Sequence, residues 1–244
     1  MAREWFERKK VGKKENCTGR IMGRLKNDLF PVLSDRPISV ITAPELLAVL
    51  RKIESRGAAD AAHRCLQYSS QIFRYGISTG RVSHDITADL RGALIPAVHS
   101  HFSTLTDPKK VGELLRVIDS YTGNPIVRLA LKMAPYVFVR PGELRYAEWS
   151  EIDFESATWK IPAEKMKMKQ VHLVPLASQV IEILTELRCY TGKGRYLFPG
   201  MRTNVRPISD MTLLGGLRRL GFSKDEMTVH GFRSIASTLL NPTK

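Results

Sequence analysis

No stretch of this 244-residue chain is apolar for the roughly 18 residues that crossing a bilayer takes. Its opening, Met1-Ala-Arg-Glu-Trp5, has no apolar signal-peptide core behind it, so a cytoplasmic protein is expected. Cysteine is scarce: Cys17, Cys65 and Cys189 are odd in number and far apart, which leaves no readable disulfide framework or CxxC-type metal site. Acid is short as well. Against 38 Lys plus Arg stand 24 Asp plus Glu, a formal net charge of +14 spread along the whole chain. Such a surface favours a polyanionic partner, because phosphate backbones reward it by releasing condensed counterions; anionic membranes and ribosomal RNA would reward it too. Short clusters such as Arg8-Lys9-Lys10 and Lys13-Lys14 read equally well as solvated helix faces.

What is present is enough to fold. At 43% apolar and 25% charged the chain has the composition of a globular protein, and its length suits two domains. The first hundred residues are helical in pattern. Thr42-Ala-Pro-Glu45 has the form of a capping box ahead of Leu46, Leu47, Val49, Leu50 and Ile53, which predicts a helix over 43–56. A second helix is predicted from Ala58 to Tyr75, with Ala62, Leu66, Ile72 and Phe73 as its buried stripe, before Gly76 and Gly80 interrupt the pattern. The pattern loosens after Leu90, and a linker is placed near 91–104. Thr106-Asp107-Pro108 then opens a new helix.

Beyond the linker, helices predicted over 107–120 and 125–138 lead into strands around 158–161 and 171–174. Lys165-Met-Lys-Met-Lys169 lies between or within these strands, so Lys165, Lys167 and Lys169 would share one cationic face if extended. Helices resume over 177–188, 209–220, with Ser209 as N-cap, and 230–240. The fold class expected is mainly α with a small antiparallel β-sheet.

Two motifs and the lysine-bearing hairpin carry the chemistry. In Arg140-Pro-Gly-Glu-Leu-Arg145 the proline opens a helix, so Arg140 stands at a positively polarised N-terminus suited to phosphate. Alone, this is a weak signal and reads more readily as a helix start with Glu143 favourable to the dipole. In His230-Gly-Phe-Arg233 a spacing of three puts imidazole and guanidinium on one helix face. Their order, with Leu173-Val-Pro-Leu176 closing the hairpin between them, points to a single reaction.

In that order the elements resemble the tyrosine recombinases, in particular the integrases of satellite phages and pathogenicity islands. Ile41–Leu50, Phe73–Gly80, Lys165–Lys169 and His230–Leu240 read as that subgroup's phrases, and nearly the whole chain is covered. The resemblance implies a helical core-binding domain, here 1–95, and an α+β catalytic domain, here 103–244, clamping double-stranded DNA in the bacterial cytoplasm. It implies a homotetramer on DNA, accessory DNA-bending proteins as possible partners, and neither metal nor nucleotide cofactor. Carried over by position, Arg140 and Arg233 match the arginines that neutralise the scissile phosphate, Lys167 the acid for the leaving 5′ oxygen, and His230 the histidine that handles the nucleophile's proton or bonds the phosphate. Glu143 matches an acidic brace for the arginines. The family's nucleophilic tyrosine follows the histidine and second arginine, yet no tyrosine follows Tyr196 in these residues. Tyr190 and Tyr196 precede His230 and do not match the motif. The expectation is therefore a chain truncated at both ends and inactive alone, the alternative being a non-catalytic DNA-binding remnant.

Overall fold

The computed structural model describes residues 1–13, 15–97, 104–105, 107–166 and 168–239. The chain forms two compact units, Met1–Ser100 and His101–Lys244.

The first unit is helical. It comprises α1 (Ala2–Lys10), α2 (Glu15–Arg24), a π-helical turn (Leu25–Leu29), α3 (Phe30–Leu33), α4 (Ala43–Glu54) and α5 (Ala59–Ser78). The capping box is formed: Thr42 donates its backbone N–H to Glu45 Oε2 at 2.9 Å, and Arg36 with these bonds holds the Glu45 carboxyl down at about 2. From α4, Leu46, Leu50 and Ile53 meet Ala62, Cys65 and Phe73 of α5 in the core. Burial pushes the Cys65 thiol up to about 12, so it is an inert core group. Gly76 does not interrupt α5, contrary to the sequence reading. The helix runs through it to Ser78, and a Cβ there would lie 2.8 Å from Val82 Cγ2. Glycine at this point is a close approach, not a stop. The predicted stripe is otherwise in place, with Leu66 only partly buried.

The second unit sets helices around small antiparallel sheets. Its elements are α6 (Pro108–Asp119), α7 (Pro125–Val137), α8 (Pro141–Arg145), β1 (Ile152–Asp153), β2 (Thr158–Ile161), β3 (His172–Pro175), α9 (Ser178–Thr191), β4 (Pro199–Gly200), β5 (Thr203–Pro207), α10 (Asp210–Arg219) and α11 (Gly231–Leu239). Local chemistry starts them: Asp107 Oδ1 accepts from the Lys109 N–H at 2.9 Å, and Asn124 Oδ1 from the Ile126 N–H at 2.9 Å. Ser209 occupies the N-cap position of α10, but its hydroxyl pairs with that of Thr212 at 2.9 Å instead of a backbone donor. The sheet order is β1-β2-β3, in register Trp159 opposite Val174 and Ile161 opposite His172. Trp159 and Ile161 point inward at 0% exposure, against a core that includes Leu129, Leu131 and Met133 of α7. α10 crosses α7 at Gly216, where a Cβ would lie 2.8 Å from Leu131 Cδ1. The β4–β5 hairpin has no counterpart in the sequence reading.

Candidate active site

The segment joining α7 to α8 positions the first arginine. α7 ends at Phe138, a non-glycine residue in the left-handed region (φ 49°, ψ 21°). Val139 is buried behind it, and Arg140 turns to an extended backbone (φ −67°, ψ 148°) as N-cap of α8. Proline at 141 suits this place, since the first turn of a helix needs no donor there. Glu143 is 7% exposed, and its carboxylate takes two bonds from Arg140: the backbone N–H to Oε2 at 2.8 Å and Nη1 to Oε1 at 2.7 Å. The guanidinium thus rests on a buried carboxylate with its side chain 37% exposed. At the other end of α8, Arg145 donates Nε to the Ile208 carbonyl at 2.7 Å and pairs with Asp210, anchoring the short helix to the start of α10.

The second motif arrives from far along the chain. His230 lies in the turn that opens α11, not on the helix beside Arg233, so the predicted shared helix face is replaced by a turn in which the Arg233 N–H donates to the His230 carbonyl at 3.1 Å. The Arg233 side chain donates Nη1 to the Phe138 carbonyl at 2.9 Å. The left-handed turn thereby presents a carbonyl to one arginine two residues before it supplies the other. A left-handed backbone costs a bulky residue on the order of 1–3 kcal/mol and persists where the surroundings hold it. Burial, and after it the charges of Arg233 and Arg140, hold the His230 imidazole below its ordinary value. His230 lines a cleft of about 190 Å³ with Pro141, Arg145, Asp210 and Thr228. Arg140, Glu143, His230 and Arg233 are thus gathered at one place. Chemically the place offers two planar guanidinium forks, matched to phosphate oxygens, and an imidazole able to exchange a proton.

The hairpin lysine, Lys167, lies outside the described residues. The described residues on either side of it are not extended: the Lys165 N–H donates to the Pro162 carbonyl at 3.0 Å, and Lys169 is left-handed at φ 53°. Lys165 and Lys169 therefore do not lie on one extended strand. Lys165 instead points at Glu148 and Glu151, a pair the sequence reading passed over although an i, i+3 spacing of acids beside Trp149 was its visible signal. Tyr196 is 9% exposed and bridges Glu148 through its backbone, while Tyr190 stands exposed on α9. Among the described residues, no group of three or more His, Cys, Asp or Glu could hold a metal ion, and no helix is long and apolar enough to cross a membrane.

Comparison with known proteins agrees across the chain. Residues 1–93 match the phage integrase central domain and residues 105–243 the phage integrase family. The putative protein IntB of Escherichia coli K12 is 33% identical across 98% of the chain and 63% of its own length; the integrase of Enterobacteria phage P4 is 32% identical across 97% of the chain and 56% of its own length. The chain thus spans about three fifths of the curated relatives it matches. A lambda integrase fragment crystallised as a dimer on a COC′ core site shares the fold, with a TM-score of 0.78 at 23% identity over 98% of this chain and 89% of that one. A lambda integrase tetramer bound to a Holliday junction aligns with a TM-score of 0.77 at 22% identity, over 99% of this chain and 73% of that one. With both matches in chain order and the motif arginines gathered at one site, this chain belongs to the phage integrase family of tyrosine recombinases.

Proposed function

We propose that the Arg140–Arg233 site holds a DNA phosphodiester and that the protein serves site-specific recombination, the integration and excision of a prophage or genomic island. The observation that carries this reading is the contact between Arg233 and the carbonyl of Phe138, 95 residues apart in sequence, which gathers two guanidinium groups and His230. Arg140 and Arg233 neutralise the non-bridging oxygens as charge builds in the transition state. A tyrosine hydroxyl attacks phosphorus, the bond to the 5′ oxygen breaks, and a 3′-phosphotyrosine link forms. Lys167 gives a proton to the leaving 5′ oxygen, and His230 handles the nucleophile's proton or bonds the phosphate. Glu143 braces Arg140. The stretches 1–95 and 103–244 act as core-binding and catalytic domains, four protomers assemble on two DNA sites, and DNA-bending proteins assist. Acting on DNA, the protein works in the bacterial cytoplasm.

Tyr190 and Tyr196 are not the nucleophile, and no tyrosine follows them in the 244 residues. These residues alone therefore bind duplex DNA without cutting it. A nicked suicide substrate tests the assignment: the expected result is salt-sensitive binding with no adduct, and a protein–DNA adduct surviving denaturation would place the nucleophile inside the chain. A second reading of the same fold is a DNA-binding remnant of an integrase. Translating the locus downstream of the Lys244 codon in three frames separates the two. A tyrosine preceded by a His or Trp motif supports the recombinase, and unrelated sequence supports the remnant.

A further inference from the structure

The basic loop between β2 and β3 is tied down by one of its own lysines. Lys165 Nζ donates to the Tyr146 carbonyl at 2.7 Å, to Glu148 Oε1 at 2.7 Å and to Glu151 Oε1. An ammonium has three hydrogens, and these acceptors use all of them. The carboxylates are fixed from behind. Arg195 grips Glu148 with Nε and Nη2, both at 2.9 Å, and Trp159 Nε1 donates to Glu151 Oε2 at 3.0 Å. Exposure of the Glu151 side chain is 5%, of Glu148 13% and of Lys165 23%. Two carboxylates against one ammonium and one guanidinium make the cluster neutral in formal charge. Arg195 first, and Lys165 after it, hold the Glu148 carboxyl below its ordinary value.

The cluster's position gives it a role. Tyr146 is the C-cap of α8, the helix whose N-cap is Arg140. Glu148 and Glu151 bracket the short turn that follows. A loop lysine is thus bonded to the far end of the element that presents the first arginine. We propose that Lys165 is a positioning residue, a clasp fixing the β2–β3 loop against the α8 end, and that it neither contacts DNA phosphate nor donates a proton to it. This rests on the recombinase reading, and it removes one of the loop lysines from candidacy as the acid.

Two measurements on the 244-residue chain test it. Hydrogen exchange should rise about tenfold or more in 146–151 and 162–171 for Lys165→Met, and return near the wild-type level for Lys165→Arg, which keeps charge and donors. Unchanged exchange in Lys165→Met would refute the clasp. In parallel, binding to a random-sequence 30-base-pair duplex is followed against salt. A lysine on phosphate contributes about 0.9 to the slope of log K against log salt, whereas Lys165→Arg and Lys165→Met should leave the slope unchanged. A slope reduced by about 0.9 in Lys165→Met would make Lys165 a phosphate ligand and overturn the proposal. Should the wild type bind no duplex at all, the recombinase reading falls, and the exchange experiment still decides whether the clasp exists.

Discussion

At the scale of single residues, the site is built from charges that would repel one another without a counter-ligand. Arg140, Arg233 and His230 share one place, and Glu143 beneath Arg140 is the carboxylate bonded there. His230 has a folded value below the ordinary 6.5, so the folded state binds fewer protons than the unfolded one. Its contribution to stability is whole above about 6.5 and is lost as the pH falls through that value toward the folded one. A DNA phosphate reverses the balance by offering negative charge to the imidazole. His230 should therefore titrate below an ordinary histidine in the free protein and move upward when saturated with duplex, as followed by its NMR ring resonance; an unmoved midpoint would mean that the imidazole does not face the phosphate. In a form of the enzyme that carries the nucleophilic tyrosine, Arg140→Ala or Arg233→Ala should slow cleavage by at least about 100-fold. Binding should weaken far less, because Arg140 and Arg233 are two of 38 Lys and Arg side chains, and other cations remain to meet the backbone. Equal losses in filter binding and in cleavage would speak against a transition-state role.

At the scale of elements, helix crossings are set by what is missing. Gly216 lets α10 approach α7 at the fully buried Leu131. Gly216→Ala gains about 1 kcal/mol of helix propensity but forces a methyl into a closed core at a cost of about 1–3 kcal/mol. The net should be a lower midpoint in urea, and a raised midpoint would show that the crossing has slack. Elements like these divide into those that sequence pattern reveals and those it hides. Caps such as Thr42 with Glu45 and Asp107 before Pro108 act within a few residues, so they were readable. Strands β2 and β3 were readable because Trp159 and Ile161 alternate with outward residues. The role of Gly76 inside α5 was not, since the side chain that leaves no room for a Cβ there is Val82, beyond the end of the helix. Nor was the fate of Lys165, whose partners lie 14 to 19 residues back and whose spacing in a basic run suggests an extended face. Arg140 and Arg233 could be named from their motifs, but the left-handed Phe138 that serves them both looks in sequence like any apolar helix residue.

At the scale of the whole molecule, two cores stand apart in the chain. Among the described residues, the buried residues of one run from Trp5 to Leu94 and those of the other from Leu114 to Ile235. Each Leu→Ala change at a fully buried site costs about 2–5 kcal/mol, so Leu50→Ala should lower one calorimetric transition and Leu131→Ala the other. A shift of both transitions by either change would show that the units unfold as one. The separation has a consequence for how such genes exchange parts. A crossover between two related genes within codons 98–103 hands each daughter two intact cores, however far their parents have diverged. A crossover between codons 132 and 215 parts Leu131 from the Gly216 that leaves room for it. Viable chimeras should accordingly carry their joins at the first place and be rare at the second.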